Sequence, residues 1–280
     1  MIQDIVPHRY DNTYKIQTPH AQDILLYYQK QDVLCQHTEQ GDTLPRFELF
    51  ADEVKEKAQY LFSIDDVGFY LVKQLEIPEG KGLFMQPTRV FRNFEPQWMA
   101  FGGITGSQIY RWERAHKFCG KCGSVMKDSE TERAQVCTKC GYTEYPKISP
   151  AIIVAIRHGE KLLMARNVSS PPGKFALIAG FVEIGESFEQ TVRREAMEEV
   201  GIKVKNIQYY KSQPWSFTDA LLMGFFCELD GSDSITVDYS ELSVAKWISR
   251  DEIDVSYTDM ALTNEMICVF RDGEIYGDDR

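Results

Sequence analysis

The sequence predicts an α/β protein in three parts. Three observations lead there. The length, 280 residues, exceeds a typical single domain. Two Cys-x-x-Cys pairs lie close together near the middle, and after them strand-like and helix-like patterns alternate around one strongly acidic helix. The hydrophobic share of 43% and charged share of 26% are those of a soluble globular chain that buries a core without crosslinks. The formal charge of −11 argues against a general nucleic-acid binder, since phosphate backbones attract net positive faces. A phosphorylated substrate stays open, because carboxylates bind one through bridging divalent metal.

Residues 1–18 lack a basic stretch followed by a long apolar run, and no apolar run approaches the roughly 18 residues of a membrane span. A cytoplasmic protein with no membrane partner is expected. Residues 1–112 form the first part, read as a mixed α/β domain for packing or dimerisation with no catalytic constellation. Within it, residues 23–31 read as a short helix, 69–75 as a strand and 90–99 as core. Gly102, Gly103 and Gly106 then break the pattern before a helix over 107–117.

Residues 113–146 form a small separate unit. Cys119 and Cys122 are followed by Cys137 and Cys140, with fourteen residues between the pairs, a gap slightly below the usual four-cysteine zinc range. Each Cys-x-x-Cys turn aims two thiolates at one point, and a glycine after each pair permits the tight backbone of a metal knuckle. Four sulfurs fill a tetrahedral Zn²⁺ shell and leave no position for water, so the site is structural. A redox pair and an RNA-binding ribbon are the rival readings; two pairs at this spacing favour zinc. Cys35, Cys227 and Cys268 are scattered and read as small buried hydrophobes.

Residues 147–280 carry the chemistry. Strands are expected over 151–157 and 161–166 around a His-Gly-Glu turn, with a Pro-Pro-Gly loop at 171–173 and a short apolar run at 175–178. A helix then spans 187–200: Ser187-x-x-Gln190 has capping-box spacing, Gly201 is a stop, and Phe188, Val192, Ala196 and Val200 form a buried stripe. Strands over 204–212, 221–228 and 244–249 and a helix over 259–270 complete the chain. Glu195, Glu198 and Glu199 fall at i, i+3 and i+4, on one helical face. Like charges so close are unfavourable unless something positive neutralises them, and hard cations such as Mg²⁺ or Mn²⁺ prefer carboxylate oxygen. Taken alone, the triad is better read as a solvated acidic face.

The surrounding residues decide between the two. From Gly180 the chain runs Gly-x5-Glu186-x7-Arg194-Glu195-Ala196-x-Glu198-Glu199-x-Gly201-Ile202. This resembles the complete Nudix signature, with only the bulky apolar residue expected at Ala196 missing. The resemblance implies a loop–helix–loop on an α/β/α sandwich, with Glu195, Glu198 and Glu199 as Mg²⁺ or Mn²⁺ ligands. It also implies that Glu186 and Arg194 brace the loop. Hydrolysis of a pyrophosphate by water follows, with Glu198 or Glu199 taking the proton.

Three further features are similar to the NADH pyrophosphatase family: the ribbon directly before the box domain, the joint Tyr145-Pro146-Lys147-Ile148-Ser149-Pro150-Ala151-Ile152-Ile153, and Ser212-Gln213-Pro214-Trp215-Ser216-Phe217 after the box. The last resembles that family's Ser-Gln-Pro-Trp-Pro-Phe-Pro-x-Ser array. Ser216 and Thr218 replace its later prolines, and Ala220 replaces its final serine. The resemblance implies NADH or NAD as substrate, contacts from Gln213, Trp215 and Ala261, Phe181 as a platform for a base, and Glu241 as a further metal ligand. Core packing of Phe181 and a solvated Glu241 are the plainer alternatives. A homodimer is typical of the family. Removal of a NAD cap from RNA, hydrolysis of ADP-ribose, and a nucleotide-sensing regulator are the competing functions.

Overall fold

The computed structural model describes residues 1–171, 173–258 and 260–273. Pro172, in the expected loop, and Asp259, at the expected start of the last helix, lie outside the described residues. The chain divides into two units. One holds Ile2–Lys147 with Ser216–Asp219; the other holds Met1, Ile148–Trp215 and the chain from Ala220 onward.

The first unit contains β1 (Tyr10–Asp11), β2 (Ile24–Leu26), β3 (Tyr28–Gln29), β4 (Asp32–Thr38) and β5 (Gly41–Thr43). After the one-turn α1 (Asp52–Lys55) come β6 (Ala58–Ile64), β7 (Val67–Val72), β8 (Leu83–Pro87) and the long helix α2 (Gln97–Ala115). One sheet has the order β1-β6-β7-β2; the other joins β3, β4 and β5, with β8 also on β4.

Two expectations fail in this unit. The segment expected as a helix over 23–31 is β2 and β3. Ile24, Leu25, Leu26, Tyr27 and Tyr28 are all buried, which a helix with one solvent face cannot do for five consecutive residues but a covered strand can. The glycines expected to break the pattern ahead of a helix over 107–117 lie inside α2 instead. A Cβ on Gly102 would stand 2.3 Å from the Phe69 ring, on Gly103 2.2 Å from Phe91, and on Gly106 2.3 Å from Leu26. Their missing side chains let the helix backbone press onto the sheet and the Phe91 turn, and that packing outweighs their low helix propensity.

The ribbon strands β9 (Met126–Asp128), β10 (Gln135–Cys137) and β11 (Thr143–Glu144) pair antiparallel in the order β11-β10-β9. They dock on the preceding sheets: the Tyr14 hydroxyl donates to the Ser129 carbonyl at 2.7 Å, and Lys73 Nζ meets Asp128 at 3.1 Å.

In the second unit β12 (Ser149–His158) and β13 (Lys161–Asn167) precede β14 (Ile178–Phe181) and helix α3 (Phe188–Val200). Then come β15 (Val204–Trp215), β16 (Ala220–Leu229), β17 (Leu242–Ser249) and helix α4 (Leu262–Arg271). The sheet order is β15-β16-β12-β13-β17, with β14 also on β12; β12 and β16 run parallel. Alternation along β12 explains the layering. Ile152, Val154 and Ile156 pack with Val192, Ala196 and Val200 of α3 on one face. Ile153 and Ala155 pack with Leu262, Met266 and Phe270 of α4 on the other. A central strand apolar on both faces demands a helix on each, and the result is the expected α/β/α sandwich. Cys35, Cys227 and Cys268 are buried. Among the described residues, no helix is long and apolar enough to cross a membrane.

Candidate functional site

The four ribbon cysteines converge. Their Sγ atoms all lie within 4.8 Å of one another, with Cys119–Cys140 at 3.8 Å and Cys122–Cys137 at 3.5 Å. Zn–S bonds of about 2.3 Å in a tetrahedron place sulfurs about 3.8 Å apart, so the set fits zinc. The knuckle backbone is as the sequence requires: Gly123 and Gly141 take φ of 71° and 70°, and their N–H groups return to the Cys119 and Cys137 carbonyls. The N–H groups of Cys140 and Lys139 point at Cys137 Sγ and draw its thiol down to about 6, favouring the thiolate a metal needs.

The second site begins at Gly180 in β14. A Cβ there would lie 1.9 Å from Glu195 Oε1; only glycine lets that carboxylate fold over the strand. Helix α3 then starts on a complete capping box, with Gln190 N–H on Ser187 Oγ at 3.3 Å and Ser187 N–H on Gln190 Oε1 at 2.7 Å. It stops at Gly201, left-handed at φ 68°. Between Gly180 and α3 the loop is tied by Glu186, which receives Arg194 Nε at 2.7 Å and Nη2 at 3.0 Å, Thr191 Oγ1 at 2.9 Å and the Glu183 N–H at 3.1 Å. The fork of Arg194 holds the Glu186 carboxyl down at about 2.

The same guanidinium reaches further. Nη2 also donates to the Phe181 carbonyl at 2.9 Å, and Nη1 donates to Glu195 at 2.8 Å and Glu198 at 2.9 Å. Arg194 thus draws two of the three helix carboxylates toward itself. The third, Glu199, is buried at 5% exposure and forms no ion pair among the described residues. Burial first, then the charges of Glu195, Glu241, Asp238 and Glu198, push its carboxyl up to about 8. Burial likewise raises Glu195. The 238–241 loop is brought there by backbone bonds: Asp238 N–H donates to the Glu199 carbonyl at 2.9 Å and Val168 N–H to the Glu241 carbonyl at 2.9 Å. Asp238 was not expected as a participant; its only signal is its place in an acid-rich loop. Only the cysteines gather all their ligand atoms within 4.8 Å among the described residues. The carboxylates sit more loosely, two of them held on Arg194.

The remaining expected residues divide. Phe181 is 55% exposed, which excludes the core-packing alternative. Trp215 is half-buried, at the end of β15 opposite Ala220. Gln213 requires correction: it has no exposure, and its amide is spent within the protein. Nε2 donates to the Met260 carbonyl at 2.9 Å, and Oε1 accepts the Leu262 N–H at 2.8 Å. Ala261 is the N-cap of α4 and has no side chain to satisfy that helix's first donors. Gln213 does so from the neighbouring strand, so it fixes Ala261 rather than facing a ligand.

Residues 147–268 match the NUDIX domain family model, and residues 114–145 match the NADH pyrophosphatase zinc ribbon domain. The chain thus carries a Nudix domain directly after that ribbon. A Salmonella heidelberg protein named NAD-capped RNA hydrolase NudC is 48% identical over 148 residues, 53% of this chain and 57% of its own length. A Haemophilus influenzae protein of the same name is 45% identical over 150 residues, 52% of this chain and 56% of its own. The chain therefore spans little more than half the length of the curated relatives it matches. A solved NUDIX hydrolase from Nitrosomonas europaea overlaps 56% of this chain and 92% of its own, at 22% identity and a TM-score of 0.49. Within the Nudix domain, the signature runs from Gly180 at the Glu195 contact to Ile202, just past the Gly201 helix stop.

Proposed function

We propose that this protein hydrolyses the pyrophosphate bond of NADH or NAD, giving nicotinamide mononucleotide and AMP, with Mg²⁺ or Mn²⁺ as cofactor. The observation that carries the reading is Glu199: a buried carboxyl surrounded by four other acids and left without a cation by Arg194. Such a cluster fits a hard divalent ion, which its oxygens would bind and whose charge it lacks. Glu195, Glu198, Glu199 and Glu241 would hold it. When bound, such an ion offsets charge on the phosphoryl oxygens and acidifies water.

The chain's own residues supply the rest. Glu186 and Arg194 keep the loop and carboxylates in register. Glu198, the most exposed of the three helix acids on its side chain, accepts the proton of the attacking water. That oxygen joins one phosphorus, the bridging P–O bond breaks, and two monophosphates leave. The exposed ring of Phe181 stacks on a base, while Trp215 and Ala261 border the nucleotide. Zinc, held by Cys119, Cys122, Cys137 and Cys140, keeps the ribbon folded. By the family resemblance the protein works as a homodimer.

The names of the two relatives favour a second reading, removal of a NAD cap from RNA by the same bond cleavage. Turnover of NADH, NAD, ADP-ribose and NAD-capped RNA at matched concentration, with Mg²⁺ or Mn²⁺ and products identified by mass, tests both. AMP and nicotinamide mononucleotide from the free dinucleotides are expected. A strong preference for capped RNA selects the second reading, faster ADP-ribose cleavage overturns the substrate assignment, and binding without cleavage makes the protein a regulator.

A further inference from the structure

The turn joining β15 to β16 carries Ser216 and Thr218 where the array it resembles has prolines, whose rings would fix the backbone. Here the turn is fixed from outside. Its four residues, Ser216–Asp219, group with residues 2–147 and not with the strands that lead into it. On α2, Arg111 Nη2 donates to the Ser216 carbonyl and, at 2.5 Å, to Asp219 Oδ1. Its Nη1 donates at 2.7 Å to Oγ of Ser107, one turn back on the same helix. Ser107 and Ser216 are 2% and 5% exposed, so both ends of this fork are enclosed. A second arginine, Arg92, lies over the Phe217 ring at 4.5 Å from its centroid. Asp219 itself takes φ of 57°, a region a residue with a Cβ seldom occupies unless its surroundings impose it.

We propose that Arg111 is a positioning residue for the dinucleotide: by pinning Ser216 and Asp219 it fixes Trp215, the preceding residue. Its bidentate grip replaces the rigidity that proline rings would give. A turn already ordered costs less to order on binding, so the clamp acts on substrate affinity and leaves the chemistry on α3 untouched. The consequence for KM rests on the function proposed above; the clamp itself does not.

The test uses the full-length, zinc-loaded protein with Mn²⁺. Arg111→Ala, Arg111→Lys, Asp219→Ala and the Arg111→Ala/Asp219→Ala double variant are compared with wild type for kcat, KM and backbone amide exchange over residues 213–221. Exchange there is expected to speed up in both alanine variants. KM for NADH is expected to rise roughly tenfold, the scale of a small misplacement of a contact, with kcat unchanged. The double variant should match Arg111→Ala, because the two residues act as one unit, and Arg111→Lys, which keeps the charge without the fork, should fall between. Unchanged exchange in Arg111→Ala overturns the clamp. Faster exchange with an unchanged KM, or single-variant effects that multiply in the double, overturns the positioning role. A wild type that cleaves no dinucleotide instead overturns the function proposed above, while the exchange result still judges the clamp. Should Arg111→Ala fail to fold, Asp219→Asn, which removes the charge and keeps the shape, carries the same measurements.

Discussion

Replacing Gly180 by alanine should separate stability from metal use. The added Cβ would stand 1.9 Å from Glu195 Oε1, 2.0 Å from its Cδ and 2.5 Å from Oε2. Carbon–oxygen contacts settle near 3.3–3.6 Å, so the carboxylate must retreat by roughly 1.5 Å. The obstacle is the far end of a flexible side chain, and moving it costs about 0.5–1.5 kcal/mol in rotamer strain. Alanine in a strand recovers about 0.5–1 kcal/mol of the backbone entropy that glycine loses. The two nearly cancel, leaving the melting temperature within about 3 °C of wild type. The site does not escape so lightly. Glu195 loses its 2.8 Å bond from Arg194, and a proposed metal ligand is misplaced by more than an ångström, which corresponds to a loss of about 10–100-fold in metal affinity or activity. Mn²⁺ titration of NADH hydrolysis, read as AMP released, together with a thermal melt, measures both quantities. A folded Gly180→Ala protein with wild-type Mn²⁺ half-saturation and turnover would refute the role of Glu195. A melting point far below wild type would refute the compliance assumed for its side chain.

Gly103→Ala presents a contact of similar length, 2.2 Å, but against the fully buried Phe91 ring, which has nowhere to go. Overpacking of about 1–3 kcal/mol should exceed the roughly 1 kcal/mol gained in helix propensity, lowering the denaturant midpoint; a raised midpoint would show the ring to be mobile. For Glu186→Gln the sign follows from a depressed carboxyl, about 2 against an ordinary 4.5. The ionised group stabilises the fold above pH 4.5, and that contribution is lost as pH falls toward 2. Wild type should therefore melt higher than the variant at neutral pH, with the gap closing between those values; a pH-independent gap counts against the Arg194 pair as its source. Cys137→Ser should release the ribbon's zinc, measured as metal content per chain, and open residues 119–140 to protease, because the fold of such a unit is coupled to its metal. Full zinc occupancy in that variant would mean the four sulfurs are not the ligands.

What could be read from the sequence was what lies close together along it. The capping box, the Gly201 stop and the i, i+3, i+4 carboxylates each depend on residues within two turns of helix. The knuckle glycines depend on their own cysteines. Legibility fell where meaning depends on distant partners. Gly102, Gly103 and Gly106 are breakers by local propensity and become close-packing positions only because Phe69, Phe91 and Leu26 arrive from elsewhere in the chain. The run from Ile24 to Tyr28 gives no period to distinguish a short helix from a strand covered on both faces; the parallel pairing of β2 with β7 decides it. Gln213 reads as a ligand-facing amide because, although a helix over 259–270 is legible, nothing in the sequence reveals that its first donor meets a side chain forty-eight positions before Ala261.

The arrangement around Arg194 shows how one side chain offsets the repulsion within an acidic helix. A guanidinium has five N–H donors, and all five are engaged: one at Nε on Glu186, two at Nη1 on Glu195 and Glu198, two at Nη2 on Glu186 and the Phe181 carbonyl. No donor remains for Glu199. Lysine, with three donors on a single point charge, could not serve the loop and both helix acids at once. The fold therefore neutralises its carboxylates up to the capacity of one side chain and stops. The helix acid left without a cationic partner is Glu199, whose ionisation burial and the nearby Glu241 and Asp238 oppose; backbone bonds hold that neighbouring loop in place. A cation bound as proposed above would offset the cost of ionising Glu199, while the Arg194–Glu186 pair keeps the loop in register.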